Sequence, residues 1–342
     1  MFNYSLPCLL YRGLNKVGIY LPRFMAKLIA RTTEKVEEIT GVEPVKLNTY
    51  DGSNQAVHPD VVLTDDLGLG GYRYWMVVTP YPFSVDHFEN PSIFKSRDGV
   101  LWEAGASNPI VLPTRRENAH LSDPALIWEK EAKQLRLFYR ETQYRKQGMT
   151  NLILTTTSKD GAHWKPSTVI FKSKRDDLCL SPSAVVNSGK IEVFYVSTLQ
   201  NRYRLKKKSF RRDCKGGIGE NFESSDEKET ICQIDGGPAG RFLWHIDILK
   251  TPARYLGLFV FAREPGDMTK LYLGTSTDCG LTWRIEREIT VTGRNKQERA
   301  FRNIYRSCLV PNTTEAGSFD LYISAQLHDY SWYIFHRPGF TI

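Results

Sequence analysis

Three segments of the chain carry one short pattern at related distances. Ser96, Asp98, Gly99 and Trp102 form the first, Ser158, Asp160, Gly161 and Trp164 the second, and Ser276, Asp278, Gly280 and Trp283 the third. The Trp residues stand 62 and 119 positions apart, one and about two steps of a period near 60. A second series keeps the same beat, with strand-like starts at Asp60, Pro124, Ser183, Asp247 and Ser307, stepping by 64, 59, 64 and 60. Each start is followed by a second run rich in β-branched and aromatic residues: 72–78, 135–139, 191–196, 256–261 and 319–323. A fixed period filled with short strands is the signature of propeller blades. Five copies predict an all-β chain, a five-bladed β-propeller over residues 56–342 with a short N-terminal helical extension over 1–55. In each motif Asp and Gly suit a tight turn between a blade's third and fourth strands, with the carboxylate accepting backbone N–H groups and the Trp packing between blades.

Within residues 1–55, Arg23 to Thr40 reads as an amphipathic helix. Phe24, Leu28, Ile29, Val36 and Ile39 fall roughly on one face, and Gly41 is a stop. Val45 to Thr49 is expected to supply a strand that closes the ring with blade five. Hydrophobic residues at 41% and aromatics at 12% suffice for a large core. The net charge of +8 is modest for this length and does not call for a nucleic-acid partner. Much of it sits in residues 202–212, read as a strand edge or loop protected by charge. No apolar run approaches the ~20 residues of a membrane span, and the N-terminus lacks a signal peptide's basic-then-apolar profile. The six cysteines form no CxxC pair and no zinc spacing, so free thiols are expected.

Propeller geometry puts the residues ahead of each first strand on the front face, beside the central channel. Those positions are polar here: His58 precedes Asp60, His120 precedes Asp123, and His245, itself preceded by Trp244, precedes Asp247. After the second strands stand Arg140 with Glu141 and Arg263 with Glu264. Carboxylates crowded around one axis push each other's pKa values apart, and glycoside hydrolysis needs such a pair. A metal bound by His and Asp is a second reading of the cluster. No cofactor is otherwise required, although a structural Ca²⁺ at the channel would be compatible.

With these motifs the chain resembles the five-bladed propeller glycosidases, the arabinofuranosidase/β-xylosidase and invertase/levanase group. The resemblance implies that Asp60, in its His58–Pro59–Asp60 setting, is the base or nucleophile. It implies that Asp123, followed by Pro124, tunes the site. That family carries a Glu general acid ahead of blade three's first strand, where this chain has Ser181. Asp247 and Glu141 lead the candidates to replace it, with Glu264 behind. His58, His120, Arg140, Trp244, His245, Arg263 and Glu264 would line the sugar site. The turn motif also resembles the Asp boxes of sialidases, whose arginine triad has only loose counterparts in Arg115, Arg140 and Arg306. The expectation is a glycoside hydrolase acting on a polysaccharide or glycan, the alternative a non-catalytic glycan-binding propeller.

Overall fold

The computed structural model describes residues 41–64, 69–113, 119–146, 148–211, 229–264, 270–289, 291 and 301–342. The expected helix at Arg23–Thr40, Cys8, Cys214 and Arg115 lie outside these residues. The chain forms a five-bladed β-propeller. Blade one is built from Ala56–Leu63, Tyr74–Pro80, Ser92–Ser96 and Glu103–Ala104, and blade two from Ala119–Glu129, Gln134–Arg145, Gly148–Ser158 and Thr168–Lys172. Blade three comprises Leu180–Asn187, Lys190–Ser197, Arg204–Arg211 and Thr230–Ile231. Blade four runs Phe242–Lys250, Tyr255–Ala262, Lys270–Ser276 and Thr282–Ile289, and Gln233–Asp235 adds a parallel strand to its outer edge. Blade five takes Cys308–Pro311, Ser318–Gln326 and Trp332–Thr341 from the C-terminal region, and Glu43–Pro44 pairs with the last of these. The ring is thus closed by an N-terminal strand just ahead of Val45–Thr49, and Val45 adds a backbone bond to the Ile334 carbonyl. This pairing covers part of the outer edge of the last strand, and the new edge is a two-residue strand that contains proline.

The repeated turns have one chemistry. Ser96 Oγ donates to Asp98 Oδ1, which accepts the N–H groups of Val100 and Leu101. Asp160 and Asp278 do the same for Ala162 and His163, and for Leu281 and Thr282. Each turn's glycine has positive φ and packs against an aromatic side chain of the preceding blade: Gly99 against the Tyr322 hydroxyl, Gly161 against the Trp75 ring, Gly280 against the Phe194 ring. Trp102 and Trp283 are buried, and their ring N–H groups close onto the Gly99 and Gly280 carbonyls. Trp164 departs from the expected burial and is only half covered, because Trp75 fills the space beside Gly161.

The basic stretch supplies blade three's third strand and spends much of its charge within the fold. Lys206 pairs with Glu229, Lys207 with Glu192, and Lys208 lies over Phe171 and Phe210. Cys179, Cys232 and Cys308 are buried free thiols, and Cys279 is exposed. Among the described residues, no helix is long and apolar enough to cross a membrane.

Candidate active site at the channel mouth

The first strands of blades one to three each carry a bulge, with two residues opposing one on the neighbour. The registers break between Val57 and Asp60, Ser122 and Ala125, and Leu180 and Ser183. In each bulge a residue with positive φ precedes proline: His58 (φ 57°), Asp123 (φ 50°) and Ser181 (φ 48°). Proline disfavours the right-handed helical region for the residue before it and has no N–H for the ladder, so a bulge is where the pair fits. Bulges re-aim side chains, and these three turn toward the channel axis. Blade four also has a bulge of one extra residue, between Leu243 and His245, without a positive φ.

This register corrects the alignment read from sequence. Asp60 accepts the Leu126 N–H of the next blade, Ser183 the Ile248 N–H, and Asp247 the Leu309 N–H. Cys308 accepts the Val61 N–H and completes the circuit. The equivalent positions are therefore Asp60, Ala125, Ser183, Asp247 and Cys308, and Pro124 and Ser307 each lie one residue off. Two residues earlier stands an upper ring: His58, Asp123, Ser181, His245 and Arg306. The three expected His/Asp pairs are not equivalent. His120 lies outside both rings, with its ring 5.6 Å from that of Tyr144.

The two rings divide the predicted carboxylates. Asp123 sits in the upper level with His58 Nε2 at 3.2 Å and His245 Nδ1 at 3.6 Å. Asp60 and Asp247 lie one level deeper. The fully buried Arg306 inserts between them, with Nη2 3.1 Å from Asp60 Oδ2 and 3.0 Å from Asp247 Oδ1. Behind this plug a cavity of about 510 Å³ opens toward the other face, past Lys130 and Lys250. Burial raises the pKa of Asp60, with Asp247 adding to it and Arg306 opposing; burial raises Asp247 too, against Arg306. Asp60 and Asp247 are thus tied to the backbone and to a guanidinium.

Glu141 does not join Asp123. It follows Arg140 in one strand, so the two point to opposite faces of the sheet, and it accepts Gln143 Nε2 at 2.7 Å. Arg140 faces the site, with Nε 2.8 Å from Asp123 Oδ2. Trp244 lies edge-on to the His245 ring, centroids 5.9 Å apart. Arg263 and Glu264 are exposed, just past the end of blade four's second strand.

Two site residues escaped the sequence reading. Glu89, in the loop between strands two and three of blade one, is buried with Oε1 3.7 Å from His58 Nδ1. Tyr305, next to Arg306, lies 4.8 Å from the His58 ring and 4.0 Å from the His245 ring. A loop Glu has no local signal, but Tyr305 stands immediately before the blade-five member of the upper ring.

Burial dominates the electrostatics. It lowers the His58 pKa to about 4 and carries His245 well below its usual value, against the pull of Asp123. Burial alone would raise Asp123, but Arg140, with His58, His245 and Arg306, holds it below the usual carboxylate range. Burial, then Asp123 and Asp86, lifts Glu89 well above an ordinary glutamate. Burial, then Glu89 and Asp123, raises Tyr305 and keeps its hydroxyl protonated.

Two neutral imidazoles and one anionic carboxylate are a metal-ligand set. One nitrogen of His58, one of His245 and one oxygen of Asp123 lie within 4.8 Å of one another. His58 Nε2, Asp123 Oδ1 and His245 Nε2 are buried and make no hydrogen bond to the described residues. His58 Nδ1 is held from outside by Thr79 Oγ1 at 2.9 Å, and His245 Nδ1, the nitrogen 3.6 Å from Asp123, is bonded within the upper ring by Ser181 Oγ. Outer hydrogen bonds like the one on His58 orient metal-binding histidines. The donor set suits a divalent cation with positions left open, the second reading that the sequence offered for these residues.

A five-bladed propeller with a polar, ligand-like cluster at one channel mouth is the class that fold and site define. No family model matches the chain. Over 113 residues, 32% of this chain, it is 34% identical to the A type blood N-acetyl-α-D-galactosamine deacetylase of Flavonifractor plautii, and the matched part spans 14% of that protein. A solved structure of an F. plautii N-acetylgalactosamine deacetylase in complex with blood group B trisaccharide superposes with a TM-score of 0.70 at 22% identity, covering 88% of this chain and 95% of that one. A thermostable family 43 glycoside hydrolase gives 0.58 at 10% identity (82% and 88% covered), and a family 43 β-1,3-galactosidase 0.56 at 12% (87% and 94%). The chain therefore shares its fold with the five-bladed propeller glycosidases, as its motifs implied, and with a deacetylase.

Proposed function

We propose that the chain is a hydrolase acting on a glycan, and that it cleaves the N-acetyl amide of an amino sugar. The observation that carries this reading is the buried cluster of His58, Asp123 and His245, whose ligand atoms lie within 4.8 Å of one another, with His58 Nε2 and Asp123 Oδ1 unbonded. It stands where a glycosidase would need a second free carboxyl group, and blade three offers Ser181 instead. The 34% identity to a deacetylase over part of the chain supports the same reading. A divalent cation held by these residues would polarise the amide carbonyl and lower the pKa of an adjacent water. Glu89, its pKa raised well above that of an ordinary glutamate by burial, suits a general base that takes a proton from the attacking water and returns it to the leaving amine. Tyr305 keeps its proton and can donate to the carbonyl oxygen as negative charge develops. Arg140 holds Asp123 anionic and in place.

Cleavage of a glycosidic bond is the second reading, favoured by the fold shared with family 43 hydrolases. It requires Asp60 or Asp247 to be freed from Arg306. The two readings separate in one assay: incubate the protein with an N-acetylgalactosamine-terminated glycan, and measure released acetate and new reducing ends independently. Acetate without reducing ends is expected, with a divalent ion detected by mass spectrometry in the purified protein. Asp123→Asn should lose the ion and reduce kcat by roughly 10²–10⁴-fold. Reducing ends without acetate would overturn the deacetylase reading. Glycan binding with neither product would make the chain a binding module.

A further inference from the structure

Three aromatic side chains extend the site sideways along the front face. Tyr203 closes the loop between strands two and three of blade three, and Phe242 and Trp244 begin the first strand of blade four. The Tyr203 and Phe242 rings are stacked, centroids 4.1 Å apart and planes at 26°. Trp244 lies 6.1 Å from Tyr203 and 5.9 Å from Phe242, and its other neighbour is His245 of the upper ring. Core aromatics in the same blade, such as Phe259 and Trp283, are fully covered, whereas these three keep part of their surface open. Polar groups stand beside them. Phe242 is the register partner of Ala262, and the exposed Arg263 and Glu264 follow at once. Arg241 is anchored by a bond from Nη1 to the Phe261 carbonyl.

An apolar ring face bordered by charged donors and acceptors matches a pyranose, which has a flat C–H face rimmed by hydroxyl groups. We propose that Tyr203, Phe242 and Trp244 form a stacking subsite for the sugar next to the one held at the channel mouth. On this assignment the substrate is an oligosaccharide rather than a free amino sugar, and Arg263 and Glu264 bond the hydroxyl rim of its second unit. The occupant follows from continuity: Trp244 touches both the platform and His245. The assignment rests on the glycan-hydrolase reading for the identity of the first sugar, but it is tested by binding alone.

Affinity for N-acetylgalactosamine and for a trisaccharide ending in it is measured by calorimetry. Wild type should bind the trisaccharide about tenfold more tightly, the scale of one aromatic contact. Tyr203→Ala should bring the ratio of the two affinities close to one, and Tyr203→Phe, which keeps the ring, should restore it. Melting curves check that both variants fold. Equal affinity of wild type for both sugars, or an unaltered ratio in Tyr203→Ala, would overturn the subsite. If the ratios behave as expected while the wild type releases no acetate, the subsite stands and the deacetylase reading falls.

Discussion

Asp123 and Asp60 both stand beside proline at the start of a first strand, yet their neighbours give them different chemistry. Asp123 faces Arg140 and two imidazoles and stays ionised. Asp60 is shared between a backbone N–H and a guanidinium. Histidines divide in the same way: His58 and His245 meet at the axis, and His120 rests against Tyr144. Burial, reinforced by Arg140, lowers the His120 pKa from 6.5 to about 4. The sign follows from proton counting. Between about pH 6.5 and 4 the unfolded chain binds a proton at this histidine that the folded chain refuses, so its contribution to stability falls as the solution is acidified. His120→Gln should therefore narrow the drop in melting temperature between pH 7 and 4.5, measured against wild type. An equal or wider drop would contradict the assignment.

The repeated turns act as elements that join blades as well as ends that reverse strands. A β-carbon built on Gly161 would lie 2.1 Å from Trp75 Cζ3, whereas one on Gly189 meets nothing within 4 Å. Both glycines have positive φ, 72° and 76°, so alanine carries a similar backbone cost at either. Only Gly161→Ala adds overpacking against a buried ring, worth about 1–3 kcal/mol. Its melting temperature should fall clearly below that of Gly189→Ala; equal values would show that the turn does not bear on blade packing. The bulges are the other decisive elements. Those at His58, Asp123 and Ser181 insert a residue of positive φ where a regular strand would keep its side chain in the sheet, and such strain is usually held at functional sites.

Around the whole molecule, the inner strands are joined by side-chain-to-backbone bonds from blade to blade, with Ala125 the one ring position whose side chain cannot contribute. Arg306 locks this circuit by binding Asp60, Asp247 and the Pro124 carbonyl, thus linking blades five, one, four and two. Breaking a buried pair from one side typically costs about 3–5 kcal/mol. Arg306→Met should accordingly lower the melting temperature strongly. Asp60→Asn should also destabilise, while keeping turnover within about tenfold of wild type, in contrast to the loss in Asp123→Asn. Loss of turnover in Asp60→Asn with an unchanged melting temperature would return Asp60 to a catalytic role and favour glycosidic cleavage.

The period near 60 and the turn chemistry were readable because both are local: each blade repeats its own strands, and each turn satisfies its own backbone. That was enough for the propeller and the blade count, and for the polar residues ahead of the first strands. The proline that follows His58, Asp123 and Ser181 also marks the bulges in plain sequence. The spatial grouping was not readable. Side-chain direction in a strand alternates with every residue, so a one-residue error in register, as at Pro124 and Ser307, places a side chain on the wrong level. The separation of Asp60 and Asp247 from Asp123 depends on one arginine from blade five, 246 positions beyond Asp60. Glu89 and Tyr305 come from a loop and a strand entry with no shared pattern. They meet the histidines because five segments distant in sequence converge on one axis, and only closure of the ring brings those segments together.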